Sequence, residues 1–213
     1  MSIDFDSSLS QRYEINNAIL TAFPLTMACW FNADSFTANR TLLGFGSSSG
    51  GNQFQVIGAS SSGVYASGEV GGVVATATTA TAPSTGTWHH AAGVFTDLSN
   101  RAAFIDGGSK ATNTTTLSSF GGFINRTLIG ARRRNGTYAL HMEGRIAECA
   151  IWDTDLNDDE IYSLSRGVRP SLVRPGNLVL YIPLVREVYD LMATRTINVN
   201  STPTVADHTR RIA

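Results

Sequence analysis

Period two is the feature that most narrows what this chain can fold into. Apolar and polar residues alternate in a series of short stretches: "IDFD", "RYEI", "LTMACWF", "RTLLGFG", "NQFQVIG", "GVYASGEV", "WHHAAGVF", "RAAFIDG", "RTLIGA", "YALHMEGRIAECAIW" and "NLVLYIPL". Successive side chains of a strand point to opposite faces, so each stretch reads as a β-strand with one side turned to a core. Gly, Ser, Thr, Asn and Asp separate them at hairpin spacing, and these are the residues whose backbones accept tight turns. The segment "VVATATTATAPSTG", residues 73–86, is low in complexity but β-branched, and reads as a strand and a turn. The glycine-rich "GFGSSSGG", residues 44–51, reads as a flexible inter-strand loop, since it lacks the Lys and helix start of a phosphate-binding loop.

One stretch breaks the period. "TDLNDDEIYSLSRG", residues 154–167, predicts a short helix near 157–166. Asn157 can cap its first turn, Asp158, Asp159 and Glu160 suit the positive end of the helix dipole, and Gly167 can terminate it. Ile161 and Leu164 share one face and would dock the helix on the sheet. The fold class expected is therefore all-β with one short helix.

At 213 residues the chain suits one large β-domain. With 42% hydrophobic and 15% charged residues and a formal net charge of -1, neither disorder nor a globally basic nucleic-acid binder fits. Of the sixteen Lys and Arg residues only Lys110 is a lysine; arginine's rigid fork suits fixed contacts with carboxylates or carbonyls. Cys29 and Cys149 each sit inside an apolar strand-like run and read as buried free thiols, because two cysteines make no framework. The start "MSIDFDSSLS" has neither a basic nor an apolar signal region, and no run spans a bilayer, so a chain made in the cytoplasm is expected. Five sequons, at Asn39, Asn113, Asn125, Asn135 and Asn200, carry little weight without secretion.

Two adjacent histidines in "TWHHAAGVF" invite a catalytic reading, but a strand sends His89 and His90 to opposite faces. Trp88, His90, Ala92 and Val94 share one side, and His89, Ala91, Gly93 and Phe95 the other. Both sides turn apolar, which predicts a central strand covered twice, with each imidazole a hydrogen-bonded structural group. No G-x-S-x-G elbow or H-E-x-x-H helix is present. The most distinctive surface candidate is "ARRRNGTY", residues 131–138, where Asn135 and Gly136 signal a hairpin turn just after Arg132, Arg133 and Arg134. Those three arginines could grip an acidic neighbour, a sulfated glycan or phosphate. Tyr138 and Tyr65 could stack on sugars.

The segments "PLTMACWFNADS", "TWHHAAGVF" with "RAAFIDGG", "TLIGARR" and "MEGRIAECAIWDTDLNDDEI" follow the order seen in laminin-G-like domains. The resemblance is to the concanavalin A-like lectin/glucanase superfamily and covers roughly residues 3–184. It implies an antiparallel jelly-roll sandwich of two sheets over residues 1–184, followed by a C-terminal strand and extended tail, 185–213, packed on the same domain or on a neighbour. Retaining hydrolases of this superfamily carry an E-x-D-x-x-E strand, which is missing here. Glu143 and Glu148 differ by an odd number and would face opposite sides of an unbroken strand. An enzyme is not expected. Some laminin-G-like domains hold Ca²⁺ at the sandwich rim, which brings Asp34, Asp97 and Asp106 forward as metal candidates near strand ends, although turn stabilisation accounts for each. Apart from Ca²⁺, no cofactor is expected.

The ending resembles laminin-G-like proteins encoded among the structural genes of tailed bacteriophages. That likeness implies a virion protein, foremost a capsid decoration or cement subunit contacting a major capsid protein and assembling as a homo-oligomer. The alternative is a carbohydrate-binding adhesion module of a tail fibre or cell surface, with or without Ca²⁺. Neither nucleic acid nor a membrane is an expected partner.

Overall fold

A computed structural model describes residues 2–120, 122–184 and 188–207. Its strands are β1 (Ser2–Phe5), β2 (Arg12–Ile15), β3 (Leu25–Ala33), β4 (Arg40–Ser47), β5 (Phe54–Ser60), β6 (Gly63–Val70), β7 (Val73–Thr78), β8 (His89–Phe95), β9 (Arg101–Ile105), β10 (Gly108–Asn113), β11 (Ile124–Ile129), β12 (Arg132–Arg134), β13 (Thr137–Ala139), β14 (Gly144–Trp152), β15 (Leu178–Ile182), β16 (Asn198–Asn200) and β17 (Thr204–Ala206), with one helix, α1 (Asp158–Ser165), between β14 and β15. No helix among the described residues is long and apolar enough to cross a membrane.

Two antiparallel sheets make a sandwich. The first has eight strands in the order β10-β9-β8-β3-β14-β1-β17, with β15 also paired to β14. The second has seven, β16-β2-β11-β4-β5-β6-β7. Strand β14 shares one edge between two partners: Gly144 to Ile146 pair with β1, and Cys149 to Trp152 with β15. A bulge between Ala147 and Ala150 separates the halves, with Glu148 at φ 55°. The last strands join different sheets, β16 on β2 and β17 on β1. Residues 185–187 and 208–213 of the expected tail lie outside the described residues.

Alternation sorts the side chains as the sequence predicts. Leu25, Met27, Cys29 and Phe31 of β3, Leu43 and Phe45 of β4, Ile57 of β5 and Ile146 and Ile151 of β14 fill the space between the sheets. The outer face of the first sheet is covered by α1 and the segment after it. Trp152, fully buried, packs there with Phe104, Ile161, Leu164, Leu178 and Tyr181, and its indole N–H donates to the Val173 carbonyl at 2.8 Å. Asn157 and Glu160 form a reciprocal capping box, and the acidic triplet occupies the first helical turn; helix-start charge is its role.

The glycine-rich segment departs from expectation. Gly44 to Ser47 lie inside β4, and the loop begins only after them. A Cβ placed on Gly46 would stand 2.3 Å from the Arg133 carbonyl oxygen, so the missing side chain lets another piece of chain lie flat against the sheet. That piece is the β12–β13 hairpin.

Candidate functional site

The hairpin closes through Asn135 and Gly136, at φ 47° and 79°, with Arg134 paired to Thr137; both central residues are left-handed, as a two-residue I′ turn requires. It folds across the outer face of the second sheet, where β2, β11, β5 and β6 present Arg12, Glu14, Arg126, Phe54, Tyr65 and Glu69. The arginines therefore turn inward and do not stand free at a tip. Arg133 donates to the Glu14 carboxylate at 2.6 Å, Arg126 approaches the same oxygen at 3.0 Å, and the Tyr138 hydroxyl donates to its other oxygen at 2.5 Å. Arg134 donates to Glu69 at 2.5 Å. Both carboxylates are buried.

Cation–π contacts complete the cluster. The Tyr138 ring carries two guanidinium groups, Arg12 at 3.6 Å and Arg133 at 4.6 Å from its centroid, and Arg132 lies 4.8 Å from the Phe54 centroid. Five guanidinium groups thus gather around two carboxylates, a local positive excess in a chain whose net charge is -1. The neighbouring His141 feels that field: burial, then Arg12 and Arg40, hold it below the usual histidine range. Burial likewise lowers Arg132, and the Nε atoms of Arg12, Arg132, Arg133 and Arg134 are buried without a hydrogen-bond partner. Tyr65, expected to offer a ring to sugars, is instead buried under the hairpin with its hydroxyl donating to the Arg40 carbonyl.

A second candidate lies on the opposite side of the molecule. A cleft of about 430 Å³ opens between the β9–β10 hairpin and the start of α1. Val94, Ala102 and Phe104 form its apolar floor, and Lys110, Asn113, Asp155 and Asn157 contribute to its rim. Lys110 spans it, 2.8 Å from Asp158 and 5.3 Å from the Phe104 centroid.

The remaining sequence candidates fall elsewhere. His89 points to the sandwich interior side beside Phe31, with Nδ1 2.8 Å from Asp106 and Nε2 accepting from the Ser84 amide. His90 faces the other way against Trp30, and here the reading of a hydrogen-bonded imidazole needs correction, because its buried Nδ1 has no partner. Burial, opposed by Asp106, lowers the His90 pKa to about 4, which keeps the ring neutral. Asp106 also accepts from the His90 amide at the β9–β10 turn. Asp97 accepts from Ser99 and Asn100 and closes an Asx turn. Asp34 sits exposed at the end of β3, its amide bonded to the Glu143 carbonyl. The three aspartates belong to separate turns, and among the described residues no three His, Cys, Asp or Glu side chains converge as a metal site. Glu143 accepts from the Ser7 hydroxyl and Glu148 from the Tyr181 hydroxyl, so both glutamates are engaged with structural partners.

The sequence reading missed Arg12, Glu14, Glu69 and Arg126. A signal was present in "RYEI", where Arg12 and Glu14 are polar residues two apart and so share a face. What could not be seen is that a hairpin more than 110 residues later folds onto that face.

Solved structures share the fold across most of the chain. A native heptameric SAP-like pentraxin from Limulus polyphemus aligns with a TM-score of 0.63 at 12% identity, covering 95% of this chain and 91% of its own. The CBM40 of the Ruminococcus gnavus IT-sialidase gives 0.61 at 17%, covering 77% of this chain and 96% of its own. The enzymatically active domain of tailspike protein 2 from bacteriophage CBA120 gives 0.57 at 14%, covering 88% of this chain but only 32% of its own. No curated protein matches. A laminin G family model matches residues 6–162, and on that match the chain belongs to the concanavalin A-like lectin/glucanases superfamily.

Proposed function

We propose that the chain is a non-catalytic, lectin-like module that binds a glycan bearing carboxylate or sulfate groups on the arginine face of the second sheet. The observation that carries this reading is the excess of guanidinium groups around Tyr138. Arginine forks match planar or tetrahedral anions, and the half-exposed tyrosine adds an aromatic edge for the sugar ring. Support comes from relatives of the same fold that hold saccharides: the R. gnavus CBM40 bound to α2,3-sialyllactose and domain 4 of a Geobacillus stearothermophilus arabinanase in complex with arabinotriose.

Calorimetry with matched neutral and anionic polysaccharides, each with and without Ca²⁺, tests it. Anionic chains are expected to bind and neutral ones not, and Arg132→Gln is expected to weaken binding about tenfold, the effect of one lost charge-assisted contact. Unchanged binding in Arg132→Gln together with loss in Lys110→Ala would move the site to the cleft. A Ca²⁺ requirement would count against the arginine face, since no metal-holding cluster occurs there among the described residues.

The virion setting is a second reading, supported by the likeness to the phage tailspike domain. That likeness favours a tail-associated adhesin over a capsid decoration protein, and assembly with its own copies or with a shell protein belongs to this reading. Density-gradient sedimentation of particles distinguishes them: a few copies per particle fit an adhesin, and a number near that of the shell protein fits decoration.

A further inference from the structure

Cys29 and Cys149 are both free and both buried. They stand on β3 and β14, neighbouring antiparallel strands in the middle of the first sheet. The pairing runs Thr26 to Trp152, Met27 to Ile151 and Ala28 to Ala150. One further step along this register sets Cys29 opposite Cys149, and one step from the Ala147–Trp30 side sets it opposite Glu148, so Cys29 faces the two residues of the β14 bulge. Alternation turns both side chains inward: Cys29 shares its face with Met27 and Phe31, Cys149 shares its own with Ile151, and all five lie in one core.

Opposed residues in an antiparallel pair have Cα atoms about 4.5–5.5 Å apart, inside the roughly 4.4–6.8 Å that a disulfide spans. The bulge adds slack, because Glu148 already departs from strand geometry at φ 55°. Burial, then the neighbouring Cys29, to which the protonated Cys149 thiol can donate, pushes the Cys149 thiol up. In the closed sandwich Cys149 is therefore held as an unreactive thiol, and burial shields Cys29 from reagents.

We propose that Cys29 and Cys149 form an intramolecular disulfide, by exchange with a small-molecule disulfide, while β14 is folding or transiently open. One thiolate attacks the small disulfide, forming a mixed disulfide and releasing one small thiol. The second thiolate displaces the other. The small disulfide is reduced by two electrons to two thiols that take up both protons, and the protein pair is oxidised. The new bond joins the central strands of the sheet and closes a loop of about 120 residues. A chain that folds reduced would thereby gain stability on passing into an oxidising medium.

The test is incubation of the whole protein with excess oxidised glutathione at a denaturant concentration that opens a minor fraction, followed by return to buffer. Intact mass is expected to fall by about 2 Da, with both thiols lost to alkylation under full denaturation, and the thermal midpoint to rise on the order of 10 °C. Cys29→Ala and Cys149→Ala should each show only a glutathione adduct on the remaining thiol. Two alkylatable thiols after this treatment, stable adducts on both thiols of the parent protein, or a bridged product with a lowered midpoint would each overturn the proposal.

Discussion

The two outer faces of this sandwich are closed by opposite means. Over the first sheet, α1 and the segment after it bury Trp152, Ile161 and Leu164 against Phe104, with a single indole hydrogen bond to orient the tryptophan. Over the second sheet, an eight-residue hairpin replaces apolar area with arginines, using Glu14 and Glu69 as anchors and aromatic rings as seats. Apolar burial carries no charge for salt to screen and is finished once water has left. A cationic cover is screened by salt and retains valence for something anionic. Under the proposed function, the first face serves stability and the second recognition.

Trp152→Ala should have the largest effect on this contrast. Emptying the centre of the helix-covered face is expected to cost about 4 kcal/mol in denaturant unfolding, equally at low and high salt.

Acid comes next. His90 lies on the helix-covered face with its folded pKa near 4, against an ordinary 6.5. The folded state holds it neutral while the unfolded chain takes up a proton, so its contribution is present above pH 6.5, falls between pH 6.5 and 4, and is flat below. The loss across that window is about 3 kcal/mol. Unfolding free energies at both ends of it, in the native chain and in His90→Leu, should show the slope flatten in the variant.

On the cationic face, Glu14→Gln leaves Arg126 and Arg133 without their counter-charge. Because Arg126 is partly solvated, about 2 kcal/mol is expected. A double-mutant cycle with Arg133→Gln should show coupling that shrinks at high salt, while a cycle between Trp152 and Ile161 should not. The smallest effect, about 1 kcal/mol, is expected for Asn157→Ala, which removes the cap of α1.

The elements with local causes were legible in the sequence. Period two marks the strands, the capping box marks α1, and Asn135-Gly136 marks the hairpin turn, because each depends on residues adjacent in the chain. The opposite facings of His89 and His90 follow from the same period. The destination of the hairpin was not legible. "ARRRNGTY" looks the same whether its arginines meet solvent or Glu14, which lies 119 positions away from Arg133, and "GFGSSSGG" looks like a loop until the backbone of Arg133 is seen lying on Gly46. The missing partner of the His90 ring was hidden for a related reason: burial is plain from the pattern, but hydrogen-bond satisfaction depends on atoms brought from other strands.

The pairing of β1 with β17 has a further consequence. Ser2 stands opposite Ala206 at the edge of the first sheet, so the first and last of the described strands lie side by side. A host protein could carry it spliced into a single surface loop, with little separation imposed on the two sides of the splice. Joining these ends and opening the chain at an exposed turn such as Gly71-Gly72 should return the same sandwich with its arginine face aimed in a chosen direction.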